Sequence, residues 1–260
     1  MQYAVRSRSQ FTTDSAGTPI TEQVESTAFV RFSLERTGSP TDTASLGLRG
    51  TGRVEGFVMA PTTRLATART SALSGVADPP AYPTLPLSVP FEALFEGPGT
   101  RVAPTPPLAN ECDRPETGAT AMARELLVRL PGALTTGSTW TDTSRVFVCR
   151  GGVPVTVETL ATTRVSAIEG SAEGPATRVR VVRQLEIRAE GEQATAWRTV
   201  ALLGRGHGHQ TLVLSAPSGV LQEMQSDSET VFDVRDTARP DGGTQRVTQR
   251  VQYTARLVRP

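Results

Sequence analysis

Apolar and polar residues alternate over long stretches of this chain. In FVRFSLER, Val30, Phe32 and Leu34 fall on one side while Arg31, Ser33 and Glu35 fall on the other. The segment RVTQRVQYTARLVRP repeats the arrangement, with Val247, Val251, Tyr253 and Leu257 set against Arg246, Arg250, Thr254 and Arg256. TRVRVVRQLEIRAEG does so too, with a slip near Val182 that reads as a β-bulge. Period two with one apolar side predicts strands whose sheet buries one face and wets the other. Gly- and Pro-containing clusters (AGTP, RTGSP, EGSAEGP, AEGEQ, RPDGG) separate these runs and predict antiparallel hairpins.

Between Asp78 and Glu116 the pattern breaks, and about half of the chain's 19 prolines fall there. Proline lacks the ladder donor and fixes φ, so the segment is expected to cross outside the central sheet, with a short helical turn at FEALFEG. TAMARELLVRLP, which follows, is expected to be a strand with some helical character at its start. The expected fold is therefore one mostly-β domain over residues 1–260, a large curved antiparallel sheet forming a half-barrel or a sandwich. Internal halves 1–77 and 118–260 flank the crossing, 78–117.

Two histidines, His207 and His209, sit in GRGHGHQTLVLSAP. On a strand they leave the same face and could share a metal ion. Yet RGTGRVEGFVMAP (49–61) aligns without a gap on RGHGHQTLVLSAP (205–217), and the histidine positions of the first copy are Thr51 and Arg53. The stretch is thus read as a duplicated strand–turn–strand unit whose glycines allow a bend or a close backbone approach. No metal and no cofactor is expected.

Composition narrows the classes further. The formal net charge is +1 and the pI about 7.9, so no basic field exists to hold nucleic acid. No run approaches the roughly 20 apolar residues of a membrane span. All the basic residues other than histidine are Arg, which removes Schiff-base and P-loop lysine chemistry. No G-x-S-x-G elbow is present, GTGRVEG has the wrong spacing for a dinucleotide loop, and Glu22, Glu25, Asp142 and Glu158 are scattered. A non-enzymatic role is expected.

Cys112 and Cys149 would, if paired, close a loop of roughly 37 residues, worth about 3–4 kcal/mol in the chain-entropy model. The alternative is one buried and one exposed thiol. The disulfide, with the Thr-rich, lysine-free composition, points to an extracytoplasmic, periplasmic setting. Apolar groups concentrate at YPTLPLSVPFEALFEGPG, where Tyr82, Leu85, Leu87, Phe91, Leu94 and Phe95 are candidates for docking onto a partner. They could equally form a lid on the chain's own sheet.

At LPGALTTGSTWTDTSRVFV the chain resembles exported β-proteins and lipoproteins of Gram-negative bacteria, in which Leu-Pro, a spacer and Gly-x-x-Trp introduce the second of two related halves. The matching positions are Leu130, Pro131, Gly137 and Trp140. The overall look is similar to the LolA/LppX-like half-barrels that carry lipids in the envelope, with a fainter likeness to periplasmic accessory subunits of photosynthetic reaction-centre complexes. These resemblances imply either a protein partner within a membrane-associated assembly or a lipid or other apolar ligand held in a concave sheet.

Overall fold

In the computed structural model, the described residues are 1–15, 18–37, 46–60, 63–65, 88–96, 99–104, 118–128, 130, 134–150, 152–170, 176–216, 218–237 and 244–260. They form strands β1 (Gln2–Ser15), β2 (Thr18–Thr37), β3 (Leu46–Met59), β4 (Thr63–Leu65), β5 (Ser88–Glu96) and β6 (Gly99–Pro104). A single helix α1 (Gly118–Leu126) precedes β7 (Thr139–Arg150), β8 (Val153–Gly170), β9 (Ala176–Ala194), β10 (Thr199–Ser215), β11 (Leu221–Asp236) and β12 (Thr244–Arg259). All belong to one antiparallel sheet in the order β6-β5-β3-β2-β1-β12-β11-β10-β9-β8-β7, with β4 beside β2. The sheet is mostly an up-and-down meander. Its first and last strands pair in the interior of the order (Tyr3↔Leu257, Thr13↔Val247), and among the described residues no pairing joins β6 to β7.

The alternation read from sequence holds where it was clearest. Val30 and Phe32 are fully buried, whereas Arg31, Ser33 and Glu35 are exposed. The buried faces of β1, β2 and β3 meet those of β8 to β12 in one cluster. Phe32 and Val54 thus share a core with Val165, Val181, Leu212 and Met224. A flat sheet could not bring these positions together, so the sheet curls around its apolar face without closing. Tyr3 anchors this end, its ring 6.1 Å from that of Phe32 and its hydroxyl donating to the Leu221 carbonyl at 3.0 Å.

The helix fills the curl. At nine residues α1 would be marginal alone. Burying Ala123, Leu126 and the adjoining Leu127 in the cluster supplies what local hydrogen bonds cannot, at about 1.5–3 kcal/mol for each leucine. A second, smaller cluster of Val153, Val155, Ala189, Leu202 and Phe232 occupies the other end of the curl.

Three expectations are corrected. The helix lies in TAMARELL, where Ala, Met, Glu and Leu are all good helix formers, and not at FEALFEG. Residues 91–96 instead continue β5, which joins the sheet between β3 and β6. Proline does not prevent this, because Pro90 pairs with Thr51 of β3 just before the ladder to β6 begins at Phe91. Lastly, β9 runs beside β10 from Ala194 to Arg178 without a register shift, so no bulge lies at Val182 in that ladder. The irregularities are on the β8 side, at Val165/Ala167 and Glu169/Gly170. Val182 simply faces outward and Arg183 inward.

Candidate functional site

An inward arginine asks what surrounds it. Cross-strand register places the inner-face neighbours of Arg183 in a row: Thr163 on β8, Gln210 on β10, Ser226 on β11, Tyr253 on β12 and Ser7 on β1. The next row towards the smaller cluster reads Asp142, Ala161, Leu185, Gly208, Ser228, Val251 and Ser9. Serine, alanine and glycine dominate where leucine and valine fill the rows at either end. Small side chains facing one another across a curled sheet leave space, and here that space is a chamber of about 300 Å³. At about 30 Å³ per molecule it would hold on the order of ten waters, and it falls at the lower end of the size range of small-ligand pockets.

The chamber's polar groups form a chain. One terminal nitrogen of Arg183 donates to both carboxylate oxygens of Asp142, at 2.9 and 3.1 Å. The other donates to Gln210 Oε1 at 3.1 Å, and Gln210 Nε2 donates to Glu125 Oε2 of α1 at 3.3 Å. The side chains of Arg183 and Asp142 are 15 and 14 % exposed, so the pair is largely shielded from water. Arg183 Nε, the Tyr253 hydroxyl and Thr163 Oγ1 are buried without a hydrogen-bond partner among the described residues. Such orphans are rare in folded proteins because each forfeits its hydration. Burial, and secondarily the nearby Glu125 carboxylate, pushes the Tyr253 phenol well above its ordinary range, so it stays protonated as a donor. Leu127, Val128, Leu185, Ile187 and Val251 give the rest of the wall its apolar character.

Further along the curl, burial holds Arg150 below its ordinary pKa. Its guanidinium lies 4.8 Å from the Phe232 ring centroid and donates to Gln249 Oε1 at 2.6 Å. No carboxylate pairs with it among the described residues.

The histidines lie on the opposite face of the sheet. His207 and His209 are exposed on β10, across from Glu229 and Asp227 of β11. Glu229 is engaged by Arg250, and Asp227 accepts from Gln252 at 3.0 Å. Among the described residues no three His, Cys, Asp or Glu side chains group as metal ligands. The glycines between them point inward and have a steric role. A Cβ on Gly206 would stand 2.4 Å from the Glu229 carbonyl oxygen, and one on Gly208 2.8 Å from that of Asp227. Gly50 and Gly52, their counterparts on β3, also face inward and are buried.

Elsewhere the outer face carries cross-strand ion pairs such as Arg8–Glu25, Arg31–Glu55, Arg145–Glu158 and Arg246–Asp233, at 3.1–3.5 Å. Charges so placed suit water, since each would be costly against hydrocarbon. Among the described residues no helix is long and apolar enough to cross a membrane.

Of the docking candidates, Tyr82, Leu85 and Leu87 lie outside the described residues. Phe91, Leu94 and Phe95 belong to β5, whose backbone is paired on both sides at these positions. Cys112 also lies outside the described residues, and with it the expected disulfide; the Cys149 backbone pairs with Pro154. The resemblance positions serve the core: Leu130 and Trp140 pack on the larger cluster, and Gly137 takes a φ of 90° in the turn before β7.

Sequence reading passed over Arg183, Gln210, Tyr253 and Glu125 as functional residues and set Asp142 among scattered carboxylates. The available signal was the slip at Val182, which marks a charged residue occupying an inward position. No family model, no curated protein and no solved structure matches the chain.

Proposed function

We propose that the protein is a non-enzymatic binding protein that holds a small ligand inside its curled sheet. One observation carries the reading: Arg183 Nε and the Tyr253 hydroxyl are buried beside a chamber of about 300 Å³ with no hydrogen-bond partner among the described residues. A structural core would have filled those rows with valine and leucine, as both ends of the same sheet do. The walls combine apolar contact with a few fixed polar groups, the usual make-up of a small-molecule site. The chamber is too small and too polar for a two-chain lipid, which narrows the expected lipid or apolar ligand to something compact with a polar end. Docking through Phe91, Leu94 and Phe95 is not carried forward, because these residues belong to a sheet strand; Tyr82, Leu85 and Leu87 lie outside the described residues. Placement outside the cytoplasm stays part of the proposal and rests on composition and the cysteine pair.

A comparison of the wild-type chain with Ser228→Leu, which puts a side chain into the chamber, tests the reading. In a thermal-shift screen of small molecules, some compounds should stabilise the wild type and leave the filled variant unmoved. A screen in which every compound treats the two proteins alike would overturn it.

A further inference from the structure

We infer that the ligand is a small uncharged molecule bearing a carbonyl oxygen on an apolar body (an amide, ester or lactone) and not a carboxylate or phosphate. The inference rests on the ligand-binding reading above and concerns what the same chamber selects. Arginine recognises anions best through two parallel N–H bonds from its planar fork. In Arg183 each such pair includes the terminal nitrogen that already holds both oxygens of Asp142, and the other terminal nitrogen donates to Gln210. The N–H of Nε has no partner at all among the described residues, and neither has the Tyr253 hydroxyl. A single donor, unlike a fork, suits a carbonyl oxygen, which accepts from either group.

Charge argues the same way. The Arg183 cation is already balanced by Asp142, and the Glu125 carboxylate stands close enough to Tyr253 to act on its ionisation. An entering anion would meet the Asp142 carboxylate where shielding by water is weak, and the Glu125 carboxylate at the exposed edge of the chamber. Arg124, also on the chamber wall, is already engaged and is no free counter-charge. A cationic ligand fails for a different reason. It would bring donors to donors and leave Arg183 Nε unsatisfied. Leu185, Ile187 and Val251 then receive the apolar body.

Calorimetric titration of the full chain with octanamide, octanoate and octylamine at pH 7 tests this, since the three share a tail and differ only at the head. Octanamide should bind about tenfold or more tighter than either charged analogue. Tyr253→Phe supplies a second readout. The hydroxyl it removes has no hydrogen-bond partner among the described residues, so the melting temperature should hold while octanamide affinity falls about fivefold or more. Octanoate or octylamine binding as tightly as octanamide would overturn the inference and leave the ligand-binding reading standing. So would an octanamide affinity indifferent to Tyr253→Phe, or no octanamide binding at all. If the screen against Ser228→Leu is blank as well, the underlying reading falls with it.

Discussion

Gly206 of β10 lies so close to β11 that a side-chain carbon on it would sit 2.4 Å from the carbonyl oxygen of Glu229 and 2.5 Å from Thr230 Oγ1. The obstacle includes backbone, which cannot swing aside. Gly206→Ala should therefore cost at least the 1–3 kcal/mol typical of overpacking. Gly137 provides the control: nothing lies within 4 Å of a Cβ there, and only its φ of 90° resists substitution. Urea unfolding of both variants should rank Gly206→Ala as the more damaging, and the opposite order would remove the steric account of the glycine run.

The histidines that alternate with these glycines should be dispensable. His207→Ala combined with His209→Ala is expected to leave the melting temperature unchanged, with or without added zinc. A zinc-dependent rise in the wild type that the double variant loses would show that the outer face binds metal after all.

The Arg183–Asp142 pair predicts an asymmetry. Asp142→Leu alone strands a shielded guanidinium and should destabilise the fold by about 3–5 kcal/mol. Arg183→Met added to it removes the stranded charge and should recover much of that loss. A double-mutant cycle by chemical denaturation measures the coupling. Additive losses would mean that water already shields the pair.

How far the fold could be read in advance follows from which residues carried the pattern. β2 and β12 were plain because Val30, Phe32, Val251 and Tyr253 face in, while Arg31, Ser33, Arg250, Gln252 and Thr254 between and beside them are polar and face out. β5 was hidden by its prolines, although a proline is excluded only where its missing N–H is needed. The helix was hidden because nine residues give too few turns for its period to stand out from a strand's. The chamber was hidden for a deeper reason. It is lined by Ser226, Ser228 and Ala161, residues with no chemical signature, and register across several strands is what sets them opposite one another. Local sequence does not encode that register.

Alkaline stability should report on Tyr3. Burial raises its phenol from 10.0 to about 12, so between those values the unfolded chain has lost the proton that the folded chain retains. Stability is fully present below pH 10 and should fall as pH rises towards 12, by on the order of 2–3 kcal/mol from this residue. Tyr253, raised as well, adds to the same slope. Equilibrium unfolding from pH 8 to 11.5 should show a shallower decline in Tyr3→Phe than in the wild type. Parallel curves would mean that Tyr3 ionises as easily folded as unfolded.

Thiol titration of the unfolded, unreduced protein checks the cysteines. Neither Cys112 nor Cys149 should react in material isolated from its native compartment. Two reactive thiols would withdraw the chief support for placement outside the cytoplasm.

The pairing of β1 with β12 gives the order of assembly a direction. Strands β7 to β12 can add one beside the next as they leave the ribosome, and so can β1 to β3, each by a short-range hairpin or connection. The ladder from Tyr3↔Leu257 to Thr13↔Val247 cannot form until β12 has been made, long after β1. It also completes the larger core, because Val5 and Ala255 are buried on those two strands. Two half-sheets with exposed apolar faces must therefore wait for a single late, long-range closure, the kind of step that makes folding slow and leaves strand edges open to wrong partners. Aggregation during synthesis, more than instability once folded, is then the hazard this topology has to manage.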